Sequence, residues 1–101
     1  TPEGLTKLRD SANKLLTDDK FILTLGGEHT ISTPIISAAQ KKHSDLSVLQ
    51  IDAHADLRNT YEGSKHSHAC VMRRVSEICP IVQVGIRSIS KEEKDIGSWR
   101  P

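Results

Sequence analysis

Aromatic residues are nearly missing from this chain: one Phe, one Tyr and one Trp in 101 residues. With 36% apolar residues the chain can build only a modest core, enough for one small domain or a piece of a larger one. No apolar run approaches the ~20 residues that cross a bilayer, and no basic-then-apolar start resembles a signal peptide. A soluble, cytoplasmic protein with no membrane partner is expected. Fourteen Lys and Arg against thirteen Asp and Glu leave a net charge of +1. Without a basic stripe interleaved with aromatics, nucleic acid is not an expected partner. The two cysteines, Cys70 and Cys79, lack the paired spacing of a zinc site or a disulfide framework and are read as reduced thiols. The chain starts at Thr1 and not at Met, which suggests a trimmed or partial sequence.

What is present is organised as alternating helix and strand patterns. Leu5, Leu8, Ala12, Leu15 and Leu16 recur at helical spacing behind a Thr1 cap and Pro2, predicting a helix over about 2–17. The run Phe21 to Leu25, ended by Gly26-Gly27, reads as a strand buried on both faces. A helix from about Thr30 to Lys42 comes next, with Pro34 near its start, and then a strand from Ser47 to Ile51. A third helix around 69–78 leads to a strand over 81–86, and Ser90-Lys91-Glu92-Glu93 has the form of a capping box opening a fourth helix. The β-α-β-α-β order predicts an α/β fold with a parallel sheet whose strands share one carboxyl edge, where ligands bind in such sheets.

That edge would receive the most informative stretch of the chain. In Asp52-Ala53-His54-Ala55-Asp56, two carboxylates and an imidazole alternate directly after an apolar strand. In extended backbone, residues two apart point to one side, so the three groups can converge. Burying them without partners costs several kcal/mol each, roughly the desolvation penalty of a polar group, and a divalent cation is the simplest shared partner. The first crossover brings His29 to the same edge. Four nitrogen and oxygen donors with no thiolate favour Mn²⁺, Fe²⁺, Co²⁺, Ni²⁺ or Zn²⁺ over Ca²⁺, and bridging carboxylates allow a pair of ions suited to metal-assisted hydrolysis. Rival readings are structural: strand-end carboxylates can cap a helix, Gly26-Gly27 with its polar followers is a common strand-to-helix turn, and loop histidines such as His66 and His68 are commonly solvated. Glu28 reads either as a partner orienting His29 or as an exposed turn residue. His43 reads as a cation at a helix end, Cys70, Met72 and Val75 as helix packing, and Arg73-Arg74 as a solvated face or a subunit contact.

The ordered set Gly26-Gly27-Glu28-His29-Thr30, Asp52-Ala53-His54-Ala55-Asp56-Leu57-Arg58, Tyr61-Glu62-Gly63 and Ser67-His68-Ala69 resembles the motifs of the ureohydrolase family, the arginases and agmatinases. The stretch Val82-Gln83-Val84-Gly85-Ile86-Arg87-Ser88 is similar to the agmatinase branch in particular. The resemblance runs from about Phe21 to Glu93. It implies a three-layer α/β/α fold around a parallel sheet, assembly into trimers or hexamers, and a dinuclear manganese site that hydrolyses a guanidinium group to urea. On that resemblance His29, Asp52 and Asp56 match the ligands of one ion, Asp52 bridges to a second ion that also takes His54, and His68 is the histidine outside the metal shell that assists proton transfer or substrate binding. The family's later Asp-x-Asp motif has no counterpart among the seven aspartates, so residues 1–101 are expected to be a partial ureohydrolase domain without its C-terminal metal-ligand segment. On its own such a chain is expected to bind metal weakly and not to turn over substrate. Arg58 stands where arginases typically carry an Asn that binds an α-carboxylate, which tilts the substrate toward agmatine, a precursor of putrescine in polyamine metabolism. The alternatives are a non-catalytic metal-binding or structural fragment of the same fold, and an arginase or guanidinobutyrase.

Overall fold

The structure, a computed structural model, describes residues 1–95. Helix α1 spans Pro2–Leu16. The Thr1 hydroxyl accepts from the Gly4 N–H at 3.1 Å and Pro2 occupies the first position, where its missing N–H costs nothing. Helix α2, Ser32–Lys42, is entered through a 3₁₀ turn at His29–Ile31, and Pro34 falls in its first turn. Lys42 ties the two helices together by donating to the Leu16 carbonyl at the end of α1, which also accepts the Asp19 N–H, and to the Asp19 carboxylate at 3.2 Å.

Strands β1, Val48–Ile51, and β2, Ile81–Val84, pair in parallel with Val48 opposite Ile81 and Ile51 opposite Val84. Helix α3, Val71–Ser76, lies between them in sequence, preceded by a 3₁₀ turn at His68–Cys70. Alternation along each strand turns Val48, Gln50, Ile81 and Gln83 inward and leaves Leu49, Ile51, Val82 and Val84 exposed. The core gathers Ala55, Leu57, Val71, Met72, Val75 and Cys79, with Ile36 of α2 and Val48 and Ile81 packed against it. Val71 and Val75 are one helical turn apart, so α3 seals the sheet with a single face. Helix α4, Lys91–Lys94, begins with the expected capping box: the Glu93 N–H donates to the Ser90 hydroxyl and the Ser90 N–H to the Glu93 carboxylate.

The α/β class and the parallel sheet agree with the sequence reading, with two corrections. Residues 21–25 form no strand: Phe21, Leu23 and Leu25 are 95%, 76% and 87% exposed, not buried on both faces. A strand is stabilised by pairing with a neighbour, and the one sheet among the described residues is β1–β2. The expected third strand also stops at Val84 and not Ile86, because Gly85 leaves the extended region with φ +87°. No helix among the described residues is long and apolar enough to cross a membrane.

Candidate functional site

The loops that leave β1 and β2 run side by side. The Asp52 N–H donates to the Val84 carbonyl at 3.1 Å, the Arg87 and Ser88 N–H groups both reach the Ala53 carbonyl at 2.8 and 2.9 Å, and Ala55 N–H reaches the Ser88 carbonyl at 3.3 Å. Residues 52–56 are therefore a stapled loop and not a continuation of the strand. Asp56 adopts the left-handed region at φ +54°, a conformation that Asp tolerates better than most residues. Its carbonyl accepts from the Arg73 N–H at 3.1 Å, satisfying a donor of the first turn of α3, and the Arg58 N–H reaches the Ala69 carbonyl at 3.1 Å.

This backbone path, with the turn into α2, brings His29, Asp52 and Asp56 together: one ligand atom from each lies within 4.8 Å of the others. His29 Nδ1 and Asp56 Oδ2 are 2.6 Å apart. That hydrogen bond raises the His29 pKa against the opposing effect of burial, and the charges of Asp56, Asp52 and Glu28 add to the rise. Asp52 uses both oxygens: Oδ1 accepts from the His54 N–H at 2.9 Å and meets the His54 ring at 3.3 Å, while Oδ2 accepts from the Gln50 amide at 3.2 Å. Burial works to raise the Asp52 carboxyl, yet these hydrogen bonds and the nearby His29 outweigh it and hold the group below the ordinary carboxylate value. His54 is thus a neighbour of Asp52, exposed and outside the three-residue group.

The three donors open into a cleft of about 710 Å³ that His54 and His68 also line. His68 enters from the 3₁₀ turn ahead of α3, its ring edge-on to Tyr61 with 5.8 Å between centroids. Arg58 lies 5.8 Å from the same tyrosine ring, and its charge helps to depress the pKa of Glu93 at the other wall. Glu28 binds the Thr30 hydroxyl and is exposed, the turn-residue reading of the two left open by the sequence. His43 and His66 lie at the surface, and Arg74 pairs with Glu77 and Asn59. Three residues at the site escaped the sequence reading. Gln50 and Gln83 look like ordinary strand positions, and Glu93 reads only as a helix cap although its second oxygen accepts the Leu57 N–H at 2.9 Å. A glutamine at an inward strand position, two residues before a carboxylate, is the signal that was available.

A parallel sheet with helices on one face and a nitrogen-and-oxygen donor cluster beyond the carboxyl ends of its strands defines an α/β protein with a candidate cation site at the strand ends. The chain belongs to the arginase family, which matches residues 1–100. It is 45% identical over 94 residues to N(1)-aminopropylagmatine ureohydrolase of Synechocystis sp., covering 91% of this chain and 31% of that protein. It is 43% identical over 101 residues to agmatinase of Bacillus cereus, covering 93% and 35%. A crystal structure of a candidate agmatinase from Clostridium difficile superposes with a TM-score of 0.89 at 38% identity, over 93% of this chain and 35% of that one. The chain therefore spans about a third of the length of the relatives it matches.

Proposed function

We propose that this chain carries part of the active site of an agmatinase-like ureohydrolase, which splits agmatine with water into putrescine and urea. The observation that carries the reading is the convergence of His29, Asp52 and Asp56 at the mouth of a cleft also lined by His68, in a chain of the arginase family. The donors fit a divalent cation: two carboxylates and an imidazole, from two separate parts of the chain, meet without a lysine or arginine among them. His29, Asp52 and Asp56 would hold one Mn²⁺, and Asp52 with His54 would contribute to a second. Bound there, the ions supply Lewis-acid polarisation and lower the pKa of water.

The chain's own groups do the rest. The cleft lined by Asp52, Asp56, Tyr61 and His68 would receive the guanidinium carbon beside the candidate ligands. As the water oxygen bonds to that carbon, the bond to the alkyl nitrogen breaks and the departing amine takes a proton. His68, exposed on the cleft wall and edge-on to Tyr61, would carry it. Arg58 offers no acceptor for a cationic tail, and its guanidinium lies over the Tyr61 ring at 5.8 Å.

The test is Mn²⁺ calorimetry on the wild type, Asp52→Ala and Glu28→Ala, with urea release from agmatine and arginine measured on a longer protein containing these residues. Asp52→Ala is expected to weaken binding by about 100-fold and Glu28→Ala by no more than about threefold. Agmatine is expected to be the better source of urea. Equal binding in the two variants would refute the ligand assignment, and preferential turnover of arginine would replace the substrate.

A further inference from the structure

The inward face of the sheet carries two glutamines where an apolar pair would pack more simply. Gln50 and Gln83 are opposite each other in the β1–β2 register, next to the apolar pair Val48 and Ile81, and Gln50 is only 7% exposed. Buried amides must find partners, and the partners here are specific. Gln83 Nε2 donates to Gln50 Oε1 at 2.6 Å and to the Ala55 carbonyl at 2.7 Å. Gln50 Nε2 donates to Asp52 Oδ2 at 3.2 Å and to the His54 carbonyl at 3.1 Å. Gln50 spends both donors on the loop that holds the candidate ligands, and Gln83 spends one on that loop and one on Gln50.

The direction of this chain of amides is chemically determined. Turning the Gln50 amide over would set its oxygen against a carboxylate and a carbonyl, and would point its NH₂ at the NH₂ of Gln83. Gln83, fixed by the Ala55 carbonyl, therefore dictates which end of Gln50 faces Asp52. At Asp52 the Gln50 amide holds Oδ2, while His54 holds Oδ1. Two donors on the two oxygens fix where the carboxylate sits and hence the rotamer about Cα–Cβ as well as the rotation about Cβ–Cγ, and one would not. We infer that Gln83 and Gln50 form a cross-strand relay that sets the orientation of the Asp52 carboxylate, making both of them positioning residues for the cation site; the inference rests on the ligand role proposed for Asp52.

The test separates positioning from mere packing by replacing both partners at once. In the Gln50→Leu, Gln83→Leu double variant no side-chain amide is left unpaired, but the Ala55 and His54 carbonyls lose their donors, so a partial loss of folding stability is expected in a chain that still folds. Mn²⁺ binding measured by calorimetry is expected to weaken by about 10- to 100-fold, the usual consequence of losing an outer partner of a ligand. In the metal-free protein, three-bond scalar couplings across the Asp52 Cα–Cβ bond are expected to change from those of a single rotamer to averaged values. Unchanged couplings in a folded double variant would overturn the relay, even if Mn²⁺ still binds the wild type. Averaged couplings in a variant whose wild type binds no Mn²⁺ would uphold the relay and refute the cation reading. Should the double variant not fold, Gln83→Met alone serves: it removes the donors to Gln50 and Ala55, and Asp52 couplings identical to wild type would overturn the proposal.

Discussion

Glu93 joins two parts of the chain that are 36 residues apart, and removing its carboxylate should release the loop that carries Asp56. One oxygen accepts the Ser90 N–H at 2.9 Å and the other the Leu57 N–H at 2.9 Å, in a residue only 6% exposed. Each hydrogen bond to an ionised acceptor contributes roughly 1.5–3 kcal/mol. Two of them at a cleft wall, where water recovers part of the loss, make Glu93→Ala cost about 3 kcal/mol, a large share of the roughly 5–15 kcal/mol that holds a small domain together. The same carboxylate gives a pH signature. Burial works to raise its pKa, but the Ser90 and Leu57 donors and Arg58 outweigh it, so the folded value lies below the ordinary 4.5. A depressed carboxyl stabilises fully above the unfolded value, and that contribution fades as pH falls below 4.5 through the folded one. The assay is amide hydrogen exchange at neutral pH together with urea unfolding on either side of that window. Leu57 should exchange about 100-fold faster in Glu93→Ala, the equivalent of about 3 kcal/mol. Glu93→Gln should lose the Glu93 share of the acid-side decline in stability, leaving the part due to Asp52. Leu57 exchange within about threefold of wild type in Glu93→Ala would refute the clamp.

Other substitutions probe the remaining constraints. Asp56→Asn should keep the left-handed turn at φ +54° and change stability by less than about 1 kcal/mol, while Asp56→Ala should cost about 1–2 kcal/mol more by urea unfolding. Cys70 and Cys79 are buried and burial pushes both thiols up, so iodoacetamide should modify them at least about 100-fold more slowly in the folded than in the urea-unfolded chain, as monitored by mass spectrometry. Ile51 and Val84 are paired across the strands, 79% and 50% exposed, on an open apolar face. Ile51→Glu with Val84→Lys should leave the fold intact and reduce self-association in sedimentation velocity, and unchanged association would place its cause elsewhere.

The parts of this fold that are legible in the sequence are those decided locally. Thr1 and Pro2 announce α1, and Ser90 with Glu93 announces α4, because a cap is made by residues three positions apart. The run Phe21 to Leu25 misleads for the opposite reason: its composition suits a buried strand, but a strand also needs a partner, and composition says nothing about whether one is there. The donor cluster is legible in part. Alternation in a strand suggests that Asp52, His54 and Asp56 converge, whereas the loop bends at Asp56, gathers Asp52 and Asp56 with His29, and leaves His54 beside Asp52. Of the support, only Gln50, two residues before Asp52 at an inward strand position, leaves a signal in the sequence. Gln50 finds Gln83 through strand register and Glu93 finds Leu57 across 36 residues, and neither pairing leaves a local trace.

That division bears on how the site is built. The two carboxylates lie just beyond β1, yet the groups that fix them come largely from β2 and the loop and helix after it: Val84, Arg87 and Ser88 by their backbone, Gln83 through Gln50, and Glu93 through Leu57. A β1 loop by itself would present Asp52 and Asp56 on a bare turn, one of them in a left-handed conformation that costs roughly 1–2 kcal/mol. Parallel pairing removes that difficulty, because it sends the β1 and β2 loops out from the same edge and lets the second brace the first. His29 arrives separately, on the turn into α2, and meets the braced loop through Asp56. The strand that contributes no candidate ligand is therefore as necessary to the geometry of the cluster as the one that leads into two, and disturbing the Gln83 side chain should reach Asp52 without touching it.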